Sequence, residues 1–272
     1  MDAEIEVFLV DNGSLAPGAT LELRALAKGL SERLGREVEA VSLLHSHKVN
    51  PAELGGMEAT IVKRRMRASF AAGRRRFMIL PLFLGPSRAI TEYLPVLLEE
   101  LREECPEMEV VIADCLFGQS VDRPEARLVE MLMDHVRAAD PEGAMHIALV
   151  DHGTPAREVN ALRNSVARDL ADALGRRVVA CSMERREGAE YAFNEPLLEG
   201  LDAIPDFVGG RLLAAMFFLL PGRHAGAGGD VAQIGAELVQ RGVYEGVEST
   251  ALLGRHPLLL EILADRYREA GG

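Results

Sequence analysis

The segment LVDHGTPAR, residues 149–157, has a partial copy near the start of the chain, where residues 9–14 read LVDNGS. Each copy is a short apolar run closed by an acidic residue, a polar residue and a glycine. This pattern is typical of a buried strand that ends in a tight turn. The copies differ at one position that carries chemistry, because His152 stands where the first copy has Asn12.

The two segments belong to a repeat that runs through the chain of 272 residues. Shifted by 140 positions, the sequence matches itself in one register. The identical pairs include Leu9/Leu149, Val10/Val150, Asp11/Asp151, Gly13/Gly153, Leu30/Leu170, Leu34/Leu174, Gly35/Gly175, Arg36/Arg176, Val38/Val178 and Ser42/Ser182. A repeat of this length fits two modest domains. We therefore predict two halves, residues 1–140 and 141–272, joined near AADPEG.

Within each half, short apolar runs alternate with helical stripes. IEVFLV and HIALV are typical of buried strands, and the segments that follow them have apolar residues at every third or fourth position. Gly35 and Gly175 stand where helix-ending glycines are expected. Strands separated by helices indicate parallel βαβ units. Each half is thus predicted to be a small open parallel sheet with helices on both faces.

Composition excludes several classes of protein. The net charge of −12 disfavours binding to nucleic acid, and the basic runs between Lys63 and Arg76 lack interleaved aromatic residues. The longest apolar run, LLAAMFFLL, is about half of the ~20 residues that a membrane-spanning helix needs. Three cysteines without CxxC spacing indicate neither a disulfide framework nor structural zinc. With no secretory leader in evidence, we expect a cytoplasmic protein that binds neither membranes nor nucleic acid.

Two histidines of the second half follow strands. His152 comes immediately after HIALVD, and His224 lies in the glycine-rich segment LLPGRHAGAGGD after a later strand. Open parallel sheets bind ligands at the carboxyl ends of their strands, so both side chains are expected at one edge. The first half has Asn12 in place of His152, and Ser87 or Ala89 in place of His224, depending on the gap. The histidine pair is therefore predicted for the second half alone.

The paired histidines suit a divalent metal that is bound and later released. Imidazole binds cobalt, nickel, iron and zinc, and two histidines leave coordination positions open, whereas a structural site closes around its ion. One such histidine alone is more often a surface or loop residue. Glu184, which follows the next strand, is either a third group of this site or a solvated charge. The glycine-rich loop either approaches a ligand closely or is simply flexible.

Three spaced motifs of the second half, DHGT, FFLLPGRHAGAGGDV and LLGRHPLLLEIL, resemble the sirohydrochlorin cobaltochelatase family of class II tetrapyrrole chelatases. The first half is similar by framework, through VDNGS, LPLFLGPSRAITEYLP and LFG. The resemblance implies two flavodoxin-like parallel-sheet domains that face each other across a cleft. Asn12 and Ser87 depart from the family pattern, which implies one competent half and one degenerate partner.

By this resemblance, the protein inserts a divalent metal into sirohydrochlorin or a related tetrapyrrole without ATP or an organic cofactor. Cobalt is the expected metal, with nickel and iron as alternatives, and the pathway is cobalamin or other tetrapyrrole biosynthesis. His152 and His224 would deliver the metal and abstract protons, with Glu184 as an auxiliary base. The residues expected to contact the tetrapyrrole are Gly153, Thr154, Arg157, Gly222, Arg223 and Gly226. The competing hypothesis is a non-enzymatic carrier or regulator that binds metal or tetrapyrrole; the sequence leaves the oligomeric state open.

Overall fold

The computed structural model describes residues 5–120, 122–226 and 228–272. The strands are β1 (Glu6–Asp11), β2 (Val38–Ser42), β3 (Arg76–Pro81), β4 (Glu109–Ile112), β5 (His146–Asp151), β6 (Val178–Ser182), β7 (Arg211–Met216) and β8 (Gly246–Ser249). The helices are α1 (Pro17–Leu34), α2 (Val62–Ala71), α3 (Leu94–Glu104), α4 (Ala126–Ala139), α5 (Arg157–Leu174), α6 (Asp230–Gln240) and α7 (Pro257–Glu269). Short 3-10 turns include Ala189–Asn194.

The strands form two four-stranded parallel sheets with the same topology, ordered β2-β1-β3-β4 and β6-β5-β7-β8. The predicted tandem repeat of two parallel-sheet domains is confirmed in these two sheets. In each sheet the chain reverses its direction of travel between the two central strands, β1 and β3 or β5 and β7. Ligands bind open sheets of this kind in the crevice at that switch point, outside the carboxyl ends of the strands.

Burial of both faces explains why the central strands are almost wholly apolar. Ile147, Ala148, Leu149 and Val150 of β5 have no exposed surface, as expected for a parallel strand covered by helices on both sides. The helix that follows ends at Gly175, whose φ of 63° is a left-handed conformation that favours glycine. Gly35 ends α1 in the same way, with a φ of 67°. The predicted helix ends are therefore confirmed.

The compact units differ from the predicted halves, 1–140 and 141–272, in their last helix. Unit 1 contains residues 1–119 and 257–272, and unit 2 contains residues 120–256. Helix α7 packs on α1 and β3 in unit 1, while α4 packs on α5 and β7 in unit 2. Side-chain burial accounts for this assignment, since Arg266 of α7 is buried and donates to the Cys115 carbonyl oxygen of unit 1. The sequence repeat and the compact unit are therefore not the same segment. The cleft between the two sheets stays a prediction.

The structure also describes the longest apolar run and the three cysteines. Strand β7 ends at Met216, before the end of the apolar run; the Phe217 N–H still bonds to the Val150 carbonyl oxygen, and bends follow from residue 219. Cys105, Cys115 and Cys181 are buried and free. Among the described residues, no helix is long and apolar enough to cross a bilayer.

Candidate metal site at the strand ends of unit 2

The turn after β5 is built around a glycine that no other residue can replace. Gly153 has a φ of +94°, and a Cβ atom placed on it would lie 1.9 Å from the Glu184 carbonyl oxygen. Gly13 of unit 1 has the same constraint, with a φ of +88° and 1.7 Å to the Leu44 carbonyl oxygen. The glycine that the two copies share is therefore required by backbone packing. The preceding residue differs between the copies, His152 in one and Asn12 in the other.

The structure brings His152 and His224 together. The two rings stack with their centroids 4.4 Å apart and their planes inclined by 28°. His152 follows β5 and His224 lies in the loop after β7, so the pair flanks the switch point of the second sheet. These are side chains from two separate loops that meet at the edge where a ligand is expected.

Each ring of the histidine pair contacts a carboxylate. His152 Nε2 lies 3.1 Å from Glu184 Oε1, and His224 Nδ1 lies 2.6 Å from Asp230 Oδ2. An ionised carboxylate accepts hydrogen bonds only, so these two ring nitrogens carry the protons. Lone pairs then remain on Nδ1 of His152 and Nε2 of His224, where a metal or a proton can bind.

The electrostatics favour neutral imidazole at His152. Burial lowers the pKa of His152, the neighbouring charge of His224 lowers it further, and Glu184 partly opposes both effects. A lowered pKa leaves the ring unprotonated at neutral pH. The His152 side chain is also 50% exposed, so the ring is not sealed from solvent.

This arrangement is an open one. Among residues 5–120, 122–226 and 228–272, no group of three or more histidines, cysteines and carboxylates is placed to hold a metal ion together. A closed structural site would supply four such ligands. Two imidazoles with carboxylate partners suit an ion that is held weakly and passed on, with its other positions open to water or to a second ligand.

The other predicted residues lie on the two segments that carry the histidines and make varied contacts. The backbone of Thr154 is already used, because its N–H donates to Asn194 Oδ1 at 3.0 Å. Arg157 lies over the Phe193 ring at 4.6 Å, and its guanidinium contacts the Glu190 carbonyl oxygen. Arg223 is 84% exposed. Gly222 and Gly226 shape the loop that carries His224, where a Cβ on Gly226 would lie 3.1 Å from the Gly222 carbonyl oxygen. Contact of these residues with a tetrapyrrole stays a prediction.

Sequence reasoning missed three residues at this site: Asp230, Arg163 and Asn194. Asp230 begins α6 six positions after His224, at the end of the glycine-rich segment. Arg163 lies on α5, where the repeat places Leu23 in the first half. The signal that could have revealed Arg163 was this charged residue at a position where the other copy of the repeat is apolar. Asn194 had no signal, because a turn outside the repeat register brings it to the site.

Unit 1 presents the same backbone without these groups. Asn12 replaces His152 and Leu44 replaces Glu184. The strand pairing decides the counterpart of His224, since Val10 pairs with Pro81 and Val150 with Met216, an offset of 135 positions along the third strand. That offset sets Ala89 against His224 and leaves Ser87 opposite Gly222. No imidazole is therefore present at these positions of unit 1.

Residues 6–121 match the model of the CbiX family, so the match lies on the half that lacks the pair His152 and His224. No curated protein matches the chain in sequence. Among solved structures, SirB from Bacillus subtilis with Fe³⁺ is similar, with 14% identity and a TM-score of 0.69 over 98% of this chain and 95% of SirB. SirB of subspecies spizizenii, described as a sirohydrochlorin chelatase in complex with cobalt, has 13% identity and a TM-score of 0.67 over the same shares.

A third similar structure is CbiX, described as the terminal enzyme of siroheme biosynthesis in denitrifying bacteria. It has 15% identity and a TM-score of 0.58 over 97% of this chain and 99% of that one. At these identities the likeness concerns the fold, which is the two-domain chelatase fold along nearly the whole chain.

Proposed function

We propose that this chain, whose residues 6–121 match the CbiX family model, is a class II chelatase that inserts a divalent metal, cobalt first, into sirohydrochlorin or a related tetrapyrrole without ATP. Such a reaction serves cobalamin or other tetrapyrrole biosynthesis, and the cytoplasm is its expected compartment. The observation that carries the proposal is the pair His152 and His224, stacked at the switch point of unit 2 with one carboxylate on each ring.

The proton balance of insertion matches the number of imidazoles. The ion displaces two pyrrole N–H protons as it passes to the ring nitrogens, so two protons must be accepted for each metal inserted. The lone pairs on Nδ1 of His152 and Nε2 of His224 first bind the ion and become free when it leaves. They then accept the two protons, and each imidazolium is stabilised by its carboxylate, Glu184 or Asp230.

Positive side chains near the pair supply charge for an acidic substrate. The carboxylate substituents of sirohydrochlorin require cations in a chain whose net charge is −12. Arg223 reaches into solvent beside Asp230 at 3.7 Å, and Arg157 starts the helix after the His152 turn. We propose these two guanidinium groups as carboxylate contacts.

The direct test is insertion itself. Purified protein is mixed anaerobically with sirohydrochlorin and Co²⁺, Ni²⁺ or Fe²⁺, and the absorption change is followed after subtraction of the uncatalysed rate. We expect acceleration with at least cobalt, and its loss in a His152→Ala/His224→Ala double variant. The carrier hypothesis predicts binding of metal or tetrapyrrole with no acceleration, and that result would replace the chelatase proposal.

A further inference from the structure

Arg163 of α5 is a large, fully buried cation that the reaction itself does not use. Only 1% of its surface is exposed. Its Nη1 atom donates to Ser182 Oγ at 2.6 Å and to the Asn194 carbonyl oxygen at 3.2 Å, and lies 3.6 Å from Asp151 Oδ1. The guanidinium therefore joins the end of β5, the end of β6 and the turn Ala189–Asn194.

One arm of this network reaches the residue before His152. Asp151 Oδ1 accepts a hydrogen bond from Ser182 Oγ at 2.6 Å and another from the Gly153 N–H at 3.2 Å. The Asp151 carboxylate thus holds the backbone on both sides of His152. Because Ser182 also accepts from Arg163, the position of that carboxylate depends on the guanidinium.

The other arm reaches the residue after the turn. The Asn194 side chain is a two-sided clamp, since Oδ1 accepts from the Thr154 N–H at 3.0 Å and Nδ2 donates to the Thr154 carbonyl oxygen at 2.9 Å. The carbonyl oxygen of the same asparagine accepts from Arg163. Hydrogen bonds through Ser182 and Asn194 thus link both ends of segment 151–154, which contains His152, to the buried Arg163 guanidinium.

Unit 1 shows the same turn without the cation. The repeat places Leu23 at the position of Arg163, and Oδ1 of Asp11 is buried with no hydrogen-bond partner among the described residues. The backbone turn forms there nonetheless, around Gly13. Arg163 is therefore not required to form the turn. It is present in the unit whose turn carries a histidine and absent from the unit whose turn carries an asparagine.

We propose that Arg163 is a positioning residue, which through Asp151, Ser182 and Asn194 sets His152 against His224 for metal binding. The inference rests on the proposed function, because it assigns His152 a role as metal ligand. Residues that orient metal-binding groups typically change affinity by about 10–100-fold when removed.

The test measures Co²⁺ binding to the full chain by equilibrium dialysis and by the visible spectrum of the bound ion. In Arg163→Leu, which installs the residue of unit 1, we expect about 10–100-fold weaker binding and a shifted Co²⁺ spectrum. Arg163→Lys keeps the charge but not the forked donors and should fall between Arg163→Leu and the unsubstituted protein. Arg176→Leu is the matched control, because it breaks another ion pair of unit 2, a partly buried one with Asp140 at 2.8 Å. It should leave Co²⁺ affinity and spectrum unchanged.

A second variant covers the case in which Arg163→Leu does not fold. Asn194→Ala removes the Thr154 clamp without leaving a buried charge, and it should weaken Co²⁺ binding in the same direction. If a folded Arg163→Leu or Asn194→Ala binds Co²⁺ with unchanged affinity and spectrum, the positioning role is wrong. If His152→Ala itself leaves Co²⁺ binding unchanged, the proposed function fails instead, so the two failures are distinguishable.

Discussion

The turns after β1 and β5 have nearly the same backbone but different side chains at the positions where a metal could bind. Leu43 N–H bonds to the Asp11 carbonyl oxygen and Met183 N–H to that of Asp151, both at 2.8 Å. On this shared backbone, unit 2 carries two histidines with carboxylate partners, whereas unit 1 carries an asparagine, an alanine and a leucine. The comparison teaches that glycine and strand pairing make the turn, so the reactive groups can be lost while the fold is kept.

The buried aspartate under each turn differs in its neighbours. Burial raises the pKa of Asp11 to about 6, and interactions with the Ser42 hydroxyl and the Gly13 N–H hold that rise down. Burial also raises the pKa of Asp151, but there the Arg163 guanidinium is the first opposing influence. Unit 2 therefore partly offsets the burial of its carboxylate with a cation, and no cation among the described residues of unit 1 does this for Asp11.

The largest expected contrast is in activity. His152→Ala or His224→Ala should lower the rate of metal insertion by about 10²–10⁴-fold, the usual contribution of a positioned acid or base. Asn12→Ala, the same truncation at the copied position, should leave the rate within about twofold. Initial rates of Co²⁺ insertion into sirohydrochlorin measure both. Equal losses in the two units would mean that both strand ends share the chemistry.

The next contrast is in stability, where one substitution should act with opposite signs. Asp151→Asn leaves Arg163 buried without its carboxylate and should lower the free energy of unfolding by about 3–5 kcal/mol. Asp11→Asn removes a buried carboxylate that pairs with no cation among the described residues, and it should raise the free energy of unfolding at pH 8 by about 2–3 kcal/mol, at ~1.4 kcal/mol per pKa unit. Denaturant unfolding of the two variants checks the signs. The same sign in both would contradict the account of the compensating cation.

The gain from Asp11→Asn should depend on pH in a defined direction. Between pH 3.8, the ordinary value, and about 6, folded protein retains the Asp11 proton that the unfolded chain has lost. The free energy of unfolding contributed by this group therefore falls as the pH rises through that window. The advantage of Asp11→Asn over the unsubstituted protein should be full above pH 6 and vanish near pH 4. A pH-independent advantage would assign the gain to packing.

A smaller effect is expected at the carboxylate partner of His224. Asp230→Asn should reduce Co²⁺ affinity by about 10-fold or more, because a carboxylate that orients a metal-binding histidine also raises its basicity. The control is Asp134→Asn, since Asp134 pairs with His256 at 3.4 Å elsewhere in unit 2. Equilibrium dialysis with Co²⁺ compares the two, and equal affinities would remove Asp230 from the site.

The smallest effect is expected at Glu184. Its side chain is 60% exposed, and solvent screens its interaction with His152. Glu184→Gln should lower the insertion rate by only a few-fold, with the matched Leu44→Gln in unit 1 having no effect. A loss as large as that of His152→Ala would make Glu184 an essential base.

The sequence predicts the repeat, both parallel sheets and the residues His152, His224 and Glu184, because strand ends and their motifs are local in the chain. Residues that only three-dimensional packing brings to the site could not be predicted from the sequence. Asp230 lies six positions beyond His224, on a new helix. Arg163 lies among the apolar residues of α5. Asn194 contacts Thr154 from 40 positions away in the chain. The repeat suggests that α4 belongs to unit 1 and α7 to unit 2, and the structure has the reverse. Hydrophobic periodicity shows that one face of a helix is buried, but it does not show which element covers that face.

The central claim is that unit 2 alone binds the metal through its histidine pair. Crystals soaked in Co²⁺ and measured by anomalous scattering at the cobalt edge test it most directly. We predict one strong peak about 2.1 Å from ring nitrogens of His152 and His224, and no peak beside Asn12 and Ala89. A cobalt peak at the strand ends of unit 1, or one in unit 2 that contacts neither histidine, would contradict the account.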